Sequence, residues 1–413
     1  MTTSHQPTTD GRRGLSRRHL LLGGAAAGIG AVGAVGIDAA IRAGEEQPAE
    51  GAKTSGSEWG LEPFYGVHQA GIATPPPALT TFLAFDLLPT TDRGAIERML
   101  RILTDDAAKL TQARSALADS EPELAEVAAH LTVTFGFGPE LVRRVNANRL
   151  PAWLSPLPAF SKDALNNATS HGDLLLQVGS DDPLSLSHCI RMLSKDARTF
   201  ATLRWSQSGF RNAKGSQPQG TTMRNLFGQV DGTVNPAPGS EDFAGVVWSG
   251  GEPEWMAGGT SLVLRRIAMN LDTWDMVDRV GRESAVGRTL SNGAPLTGSE
   301  EQDETDFQAT NTLGFPVIAT ESHIRRARSE NTSERIFRRG YNYDDGPTTG
   351  ADGNAGLLFA SYQADPVAQF VPLQQRLDDL DMLNEWISHV GSAVFAIPAG
   401  CAEGGFVGEQ LFQ

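Results

Sequence analysis

Hydrophobic positions along the chain alternate in short runs between longer helical stretches, and the order of these elements repeats. Thr80 to Leu87 (TTFLAFDL) alternates as a strand does, while Asp92 to Leu110 carries the three- and four-residue apolar spacing of an amphipathic helix. His130 to Gly136 and Leu174 to Val178 predict two further strands. Asp182-Pro183 opens a helix through about Leu193, with proline in its first turn, and Phe200 to Ser206 predicts the closing strand. The order is β-α-β-β-α-β, with extra helical material around 139–170. Polar, turn-rich Arg211 to Gly220 predicts a boundary. Beyond it Thr260 to Met269 reads as a strand, followed by a helix from near Asp272. Arg335 to Tyr343 and Leu357 to Tyr362 then read as two paired strands. Val367 to Val390 contains a helix, and Ser392 to Pro398 a last buried strand. The pattern predicts an α+β protein of two ferredoxin-like units, 61–215 and 221–413, with antiparallel sheets facing one another. The repeat is one of element order, not of residue identity.

The first sixty residues do not join this pattern. Ser16-Arg17-Arg18-His19-Leu20-Leu21 leads into an uncharged run, Leu20 to Ile37, in which six of 18 residues are Gly and five are Ala. That is weakly apolar for a permanent anchor. Paired arginines ahead of such a stretch resemble a twin-arginine export signal, which predicts a leader over 1–43 and an exported protein. Residues 44–60, rich in Gly, Glu, Ser and Pro, predict a flexible tether. Once the leader is removed, no membrane insertion is expected. The 413 residues carry a net charge of −15, and the leader's five Arg and two Asp leave −18 on the remainder. Such a field repels phosphate backbones and argues against nucleic-acid binding. Cys189 and Cys401 are the only cysteines, so neither a disulfide framework nor a CxxC motif for zinc or covalent haem is present.

No P-loop, GxSxG elbow or HExxH motif occurs, and none of the eight histidines has local metal-ligand spacing. A single histidine can still hold a metal that brings its own equatorial nitrogens, as haem does. His323 lies in Glu321-Ser322-His323-Ile324-Arg325-Arg326-Ala327-Arg328, where three arginines could meet anionic carboxylates. On local signal alone, a structural histidine in a solvated basic turn remains the simpler reading. Asp231 stands between apolar Val230 and Gly232, and glycine allows close approach of backbone to a ligand. The same stretch also reads as an ordinary Asp-Gly turn.

Taken together, five blocks resemble the dye-decolourising peroxidase family. They are Phe64 to Ile72 (FYGVHQAGI), Gly172 to Gln177 (GDLLLQ), Gly228-Gln229-Val230-Asp231-Gly232 (the family's GxxDG), Ser322 to Arg326 (SHIRR) and Arg338 to Tyr343 (RRGYNY). They occur in family order over about residues 60–400. The resemblance implies two ferredoxin-like halves with one non-covalent haem b held between them. It implies His323 as the iron ligand, with Arg325 and Gly232 among the residues contacting the cofactor. It further implies Asp231 as a proton shuttle and Arg338 as the group that stabilises O–O heterolysis. The implied activity is hydrogen peroxide-dependent oxidation of bulky aromatic reductants, dyes or phenols, via a ferryl intermediate. Neighbouring side chains on an extended strand point to opposite faces, so only one of Arg338 and Arg339 can reach the iron. Family spacing favours Arg338, leaving Arg339 a structural ion-pair residue. A ligating histidine needs an acceptor for its other N–H, and Glu385 is the candidate. His68, although in a family block, is expected to pack or hydrogen-bond. The alternative function is an exported haem-binding or iron-acquisition protein of the deferrochelatase kind. A homo-oligomer is compatible with either.

Overall fold

The computed structural model describes residues 60–346 and 354–413. The predicted leader and all but the last residue of the predicted tether lie outside the described residues. The N-terminal half runs β1 (Leu79–Leu87), α1 (Arg93–Leu110), β2 (Thr132–Phe137), α2 (Pro139–Asn146), β3 (Leu174–Ser180), α3 (Pro183–Ala197) and β4 (Ala201–Phe210). Asp92 caps α1 by accepting from Ala95 N–H at 2.8 Å, and Asp182 caps α3 in the same way through Ser185 N–H at 2.7 Å. Each cap satisfies a donor that the helix start leaves open. The strands pair antiparallel in the order β2-β3-β1-β4, which is the ferredoxin-like order. The extra material after β2 is one short helix, α2, and brief single turns. Most of 147–173 is irregular, contrary to the helical expectation.

The C-terminal half begins with α4 (Glu241–Val247), β5 (Thr260–Met269), α5 (Leu271–Asp275) and α6 (Arg279–Val286). After a long irregular stretch come α7 (His323–Ala327), β6 (Phe337–Arg338), β7 (Tyr341–Asp344), β8 (Ala355–Gln363), α8 (Phe370–Leu380) and β9 (Ile387–Ile397). Its sheet runs β9-β5-β8, with β6 and β7 following one another along the far edge of β8. The single strand expected over Arg335–Tyr343 is thus interrupted at Arg339-Gly340. There the Gly340 carbonyl accepts from Arg211 Nε at 2.8 Å.

The two sheets meet at both edges, through Phe137 opposite Ala396 and Phe210 opposite Asn342. Their inner faces share one core that includes Phe82, Leu175, Leu262, Tyr362 and Phe395. Across it the Tyr362 hydroxyl donates to Gln177 Oε1, so this buried polar pair linking the layers is satisfied. On the outer face of the N-terminal sheet, Leu83 and Phe85 pack under α1 and α3. The outer face of the C-terminal sheet is covered differently. Arg265, Ile267, Met269, Leu357 and Phe359 there look into a cavity beneath α7, α8 and the long loops.

Candidate active site

The cavity has a volume of about 430 Å³, and every residue lining it lies between Asn225 and His389. It therefore belongs to the C-terminal half alone. The expected position between the two sheets is filled by the shared hydrophobic core, so a cofactor held there must sit on the sheet's outer face.

One wall carries His323, the first residue of α7. The segment is docked by backbone and side-chain bonds: Met382 N–H to Glu321 O at 2.9 Å, and Arg326 Nε to Arg376 O at 3.0 Å. His323 Nδ1 lies 2.6 Å from Asp381 Oδ2, and the Asp381 side chain is only 2% exposed. Asp381 Oδ1 accepts the Leu383 N–H at 3.0 Å, which fixes the carboxylate's orientation. Burial disfavours charge on the imidazole, but the adjacent Asp381 carboxylate outweighs it and raises the His323 pKa above its ordinary value. With Nδ1 engaged, Nε2 is the ring nitrogen left for the cavity that His323 lines. Among the described residues no cluster of three metal-ligating side chains exists. One imidazole in a largely apolar cavity of this size suits a metal that carries its own equatorial ligands, so the residues present fit haem.

The Asp231–Arg338 pair occupies another part of the same lining. Arg338 Nη1 donates to Asp231 Oδ1 at 2.9 Å, with side chains 23% and 17% exposed. Asp231 Oδ2 has a single long contact, from Asn225 Nδ2 at 3.3 Å. Gly232 follows at φ +127°, a conformation in which a side chain is strained, and this lets the chain turn straight after the carboxylate. The turn closes through Asn235 N–H to Gly232 O at 3.0 Å.

The chain matches the Dyp-type peroxidase N-terminal family model over residues 69–211 and the Dyp-type peroxidase C-terminal family model over residues 222–402. It is 36% identical to the dye-decolorizing peroxidase of Thermobifida fusca, the alignment covering 99% of each chain. The chain belongs to the Dyp-type peroxidase family. A crystal structure of a DyP-type peroxidase from Cellulomonas bogoriensis superposes with a TM-score of 0.83 at 52% identity, over 86% of this chain and 98% of that one. A deferrochelatase of Escherichia coli is 33% identical, covering 96% of this chain and 97% of that one. As a Dyp-type peroxidase, the protein is an oxidoreductase that uses hydrogen peroxide and binds haem non-covalently.

Within this peroxidase, Glu385 is not the partner of His323. It is exposed at the end of a single 3-10 turn, whereas Asp381, the N-cap of that turn, reaches the imidazole. Arg325 also turns away from the cavity. Its guanidinium donates to the carbonyls of Ile318 (2.8 Å) and Phe307 (2.9 Å), while Arg328 and Arg335 are the nearby arginines that line the cavity. Arg338 and Arg339 do point to opposite sides. Arg339, however, is no ion-pair residue: it is 2% exposed and donates to the backbone carbonyls of Ile72, Thr74 and Pro75. His68 stacks on Trp248 with ring centroids 3.6 Å apart and bonds Gly258 O at 2.7 Å, a packing role. Cys189 and Cys401 are free, buried thiols, both raised above the ordinary thiol pKa by burial.

Proposed function

We propose that this Dyp-type peroxidase oxidises bulky aromatic reductants, with His323 as the iron ligand and Asp231 and Arg338 as the groups that manage peroxide. The reading is carried by one observation: an ionic Asp231–Arg338 contact and a carboxylate-braced histidine line a single cavity. Haem, when bound, would supply the redox centre for two-electron reduction of peroxide and one-electron oxidation of the reductant. Asp381 accepts a hydrogen bond from His323 Nδ1–H, which would leave the Nε2 lone pair to hold the metal and would raise its basicity. Asp231 Oδ2, with only its long contact to Asn225, is the oxygen free to accept a peroxide proton and to return it to the leaving oxygen. Oδ1 stays bound to Arg338, which keeps the carboxylate aimed and places positive charge where negative charge develops. Arg328, on the cavity lining, is placed to meet a carboxylate of the cofactor, whereas the guanidinium of Arg335 is paired with Asp242. With a porphyrin seated in this cavity, a bulky dye would give its electrons at the protein surface or the cofactor's edge.

Stopped-flow mixing of the haem-loaded protein with one equivalent of peroxide, followed by a dye, tests this. A rapid change in the Soret band that the dye reverses is the expected result. The E. coli deferrochelatase relative supports a second reading, an exported haem-binding or iron-acquisition protein. The Asp231–Arg338 pair favours the peroxidase, because carriage of haem has no use for a proton acceptor beside a charge stabiliser. For location, the Arg17-Arg18 leader supports export by the twin-arginine route. Retention of an Arg17→Lys, Arg18→Lys variant in the cytoplasm is the check, and unaltered export would refute it.

A further inference from the structure

Arg338 ends a strand of only two residues, which pairs with β8 on one side and has no strand on the other. Backbone groups on such an edge ordinarily face solvent or a neighbouring chain. Here the Asn235 side chain takes the place of the missing strand. Its Oδ1 accepts the Arg338 N–H at 3.0 Å, and its Nδ2 donates to the Arg338 carbonyl at 2.7 Å. Asn235 closes the five-residue turn that Asp231 opens, and Pro236 after it restricts its backbone to extended conformations. One turn therefore grips Arg338 twice, by the guanidinium through Asp231 and by the peptide through Asn235.

We infer that Asn235 is a positioning residue for the Asp231–Arg338 pair, fixing the turn and the edge strand as one unit. This rests on the peroxidase reading above. Asn235 acts through Arg338 rather than on peroxide. Without it, three hydrogen bonds between turn and strand become one, and the arginine is free to shift along the sheet edge. A displacement near 1 Å in reacting groups costs on the order of 100-fold in rate.

The test uses the haem-loaded protein and two readouts. In Asn235→Ala the second-order rate of the peroxide step is expected to fall roughly 10- to 100-fold, with the KM for the reducing dye unchanged. Hydrogen exchange at the Arg338 amide should accelerate about tenfold, as one modest hydrogen bond is lost. Amides of β1 and β3 should keep their protection, which separates loss of positioning from loss of stability. Asn235→Asp retains the acceptor for the Arg338 N–H and should recover most of the protection and part of the rate. It also serves if the alanine variant does not fold. A wild-type protein that reacts with peroxide beside an Asn235→Ala protein that reacts equally fast overturns the inference. So does an Arg338 amide whose exchange is unchanged. A wild-type protein inert to peroxide overturns the peroxidase reading instead.

Discussion

Replacing Asp381 by Asn should cost far more than the loss of one charge implies. The two side chains have the same shape, so packing is unchanged and the test is electrostatic. Asp381 Oδ1 holds the Leu383 N–H at 3.0 Å, and an Asn would keep its carbonyl oxygen there. Its NH2 group would then face His323 Nδ1 at the 2.6 Å position, donor against donor. The imidazole escapes this by moving its proton to Nε2, but in that tautomer Nε2 has no lone pair for a metal. Loss of the charge-assisted bond is worth about 1.5–3 kcal/mol. This matches the roughly 10- to 100-fold loss of metal affinity expected when an outer-shell partner is removed. Titration of the haem-free protein with haem, followed at the Soret band, measures the effect. Asp381→Ala should bind haem better than Asp381→Asn, since it removes the acceptor without imposing the wrong tautomer. Equal haem affinity in wild type and Asp381→Asn would refute this reasoning, and with it the role of Asp381 in setting the ligand.

Two further outcomes follow from buried charge elsewhere. Burial alone would raise the Asp163 pKa, but the neighbouring His389 imidazole and the adjacent Arg265 charge hold it below the usual carboxylate range. Arg265→Met, which removes a cation with a 1% exposed side chain, should lower the unfolding free energy by about 3–5 kcal/mol in urea titrations. A loss below 1 kcal/mol would show that Asp163 finds water or another donor. Burial and then the neighbouring Asp106 carboxylate push Asp196 up to about 7, so the folded protein keeps a proton there that the unfolded chain releases near pH 4. The native state binds more protons across that window, and stability should fall as pH rises from about 4 to 7, by on the order of 1 kcal/mol after solvent screening. Asp196→Asn should flatten this slope, and an identical pH profile in the variant would contradict the assignment.

How far the sequence discloses this molecule depends on the distance over which each choice is made. β1, α1 and α3 are legible because alternation, helical spacing and the caps at Asp92 and Asp182 are local. The break between β6 and β7 is not, since it depends on Arg211, more than a hundred residues away, drawing the Gly340 carbonyl. The same holds in the site. The alternation of Arg338 and Arg339 follows from strand geometry, but the carbonyls that receive Arg339 come from the segment near Ile72. Asp381 and Glu385 are four residues apart and chemically alike. What separates them is that Asp381 caps a 3-10 turn, a signal present in Asp381-Met382-Leu383 but easily passed over beside a helix-like acidic run. Three arginines near a candidate ligand histidine invite carboxylates, whereas the fold uses Arg325 to hold two loop carbonyls. Asn235 stands four residues after Asp231 in sequence, yet its partner is on a strand a hundred residues later.

In the proposed mechanism Asp231 carries the proton and Arg338 the charge stabilisation in the step that consumes peroxide. The direct measurement is the second-order rate of that step, by stopped flow, in wild type, Asp231→Ala and Arg338→Leu, each loaded with haem to the same Soret absorbance. A fall of about 100-fold or more is expected for each single variant, and less than the product of the two for the double variant, because they act as one contact. Variants that consume peroxide at the wild-type rate while binding haem normally would contradict it.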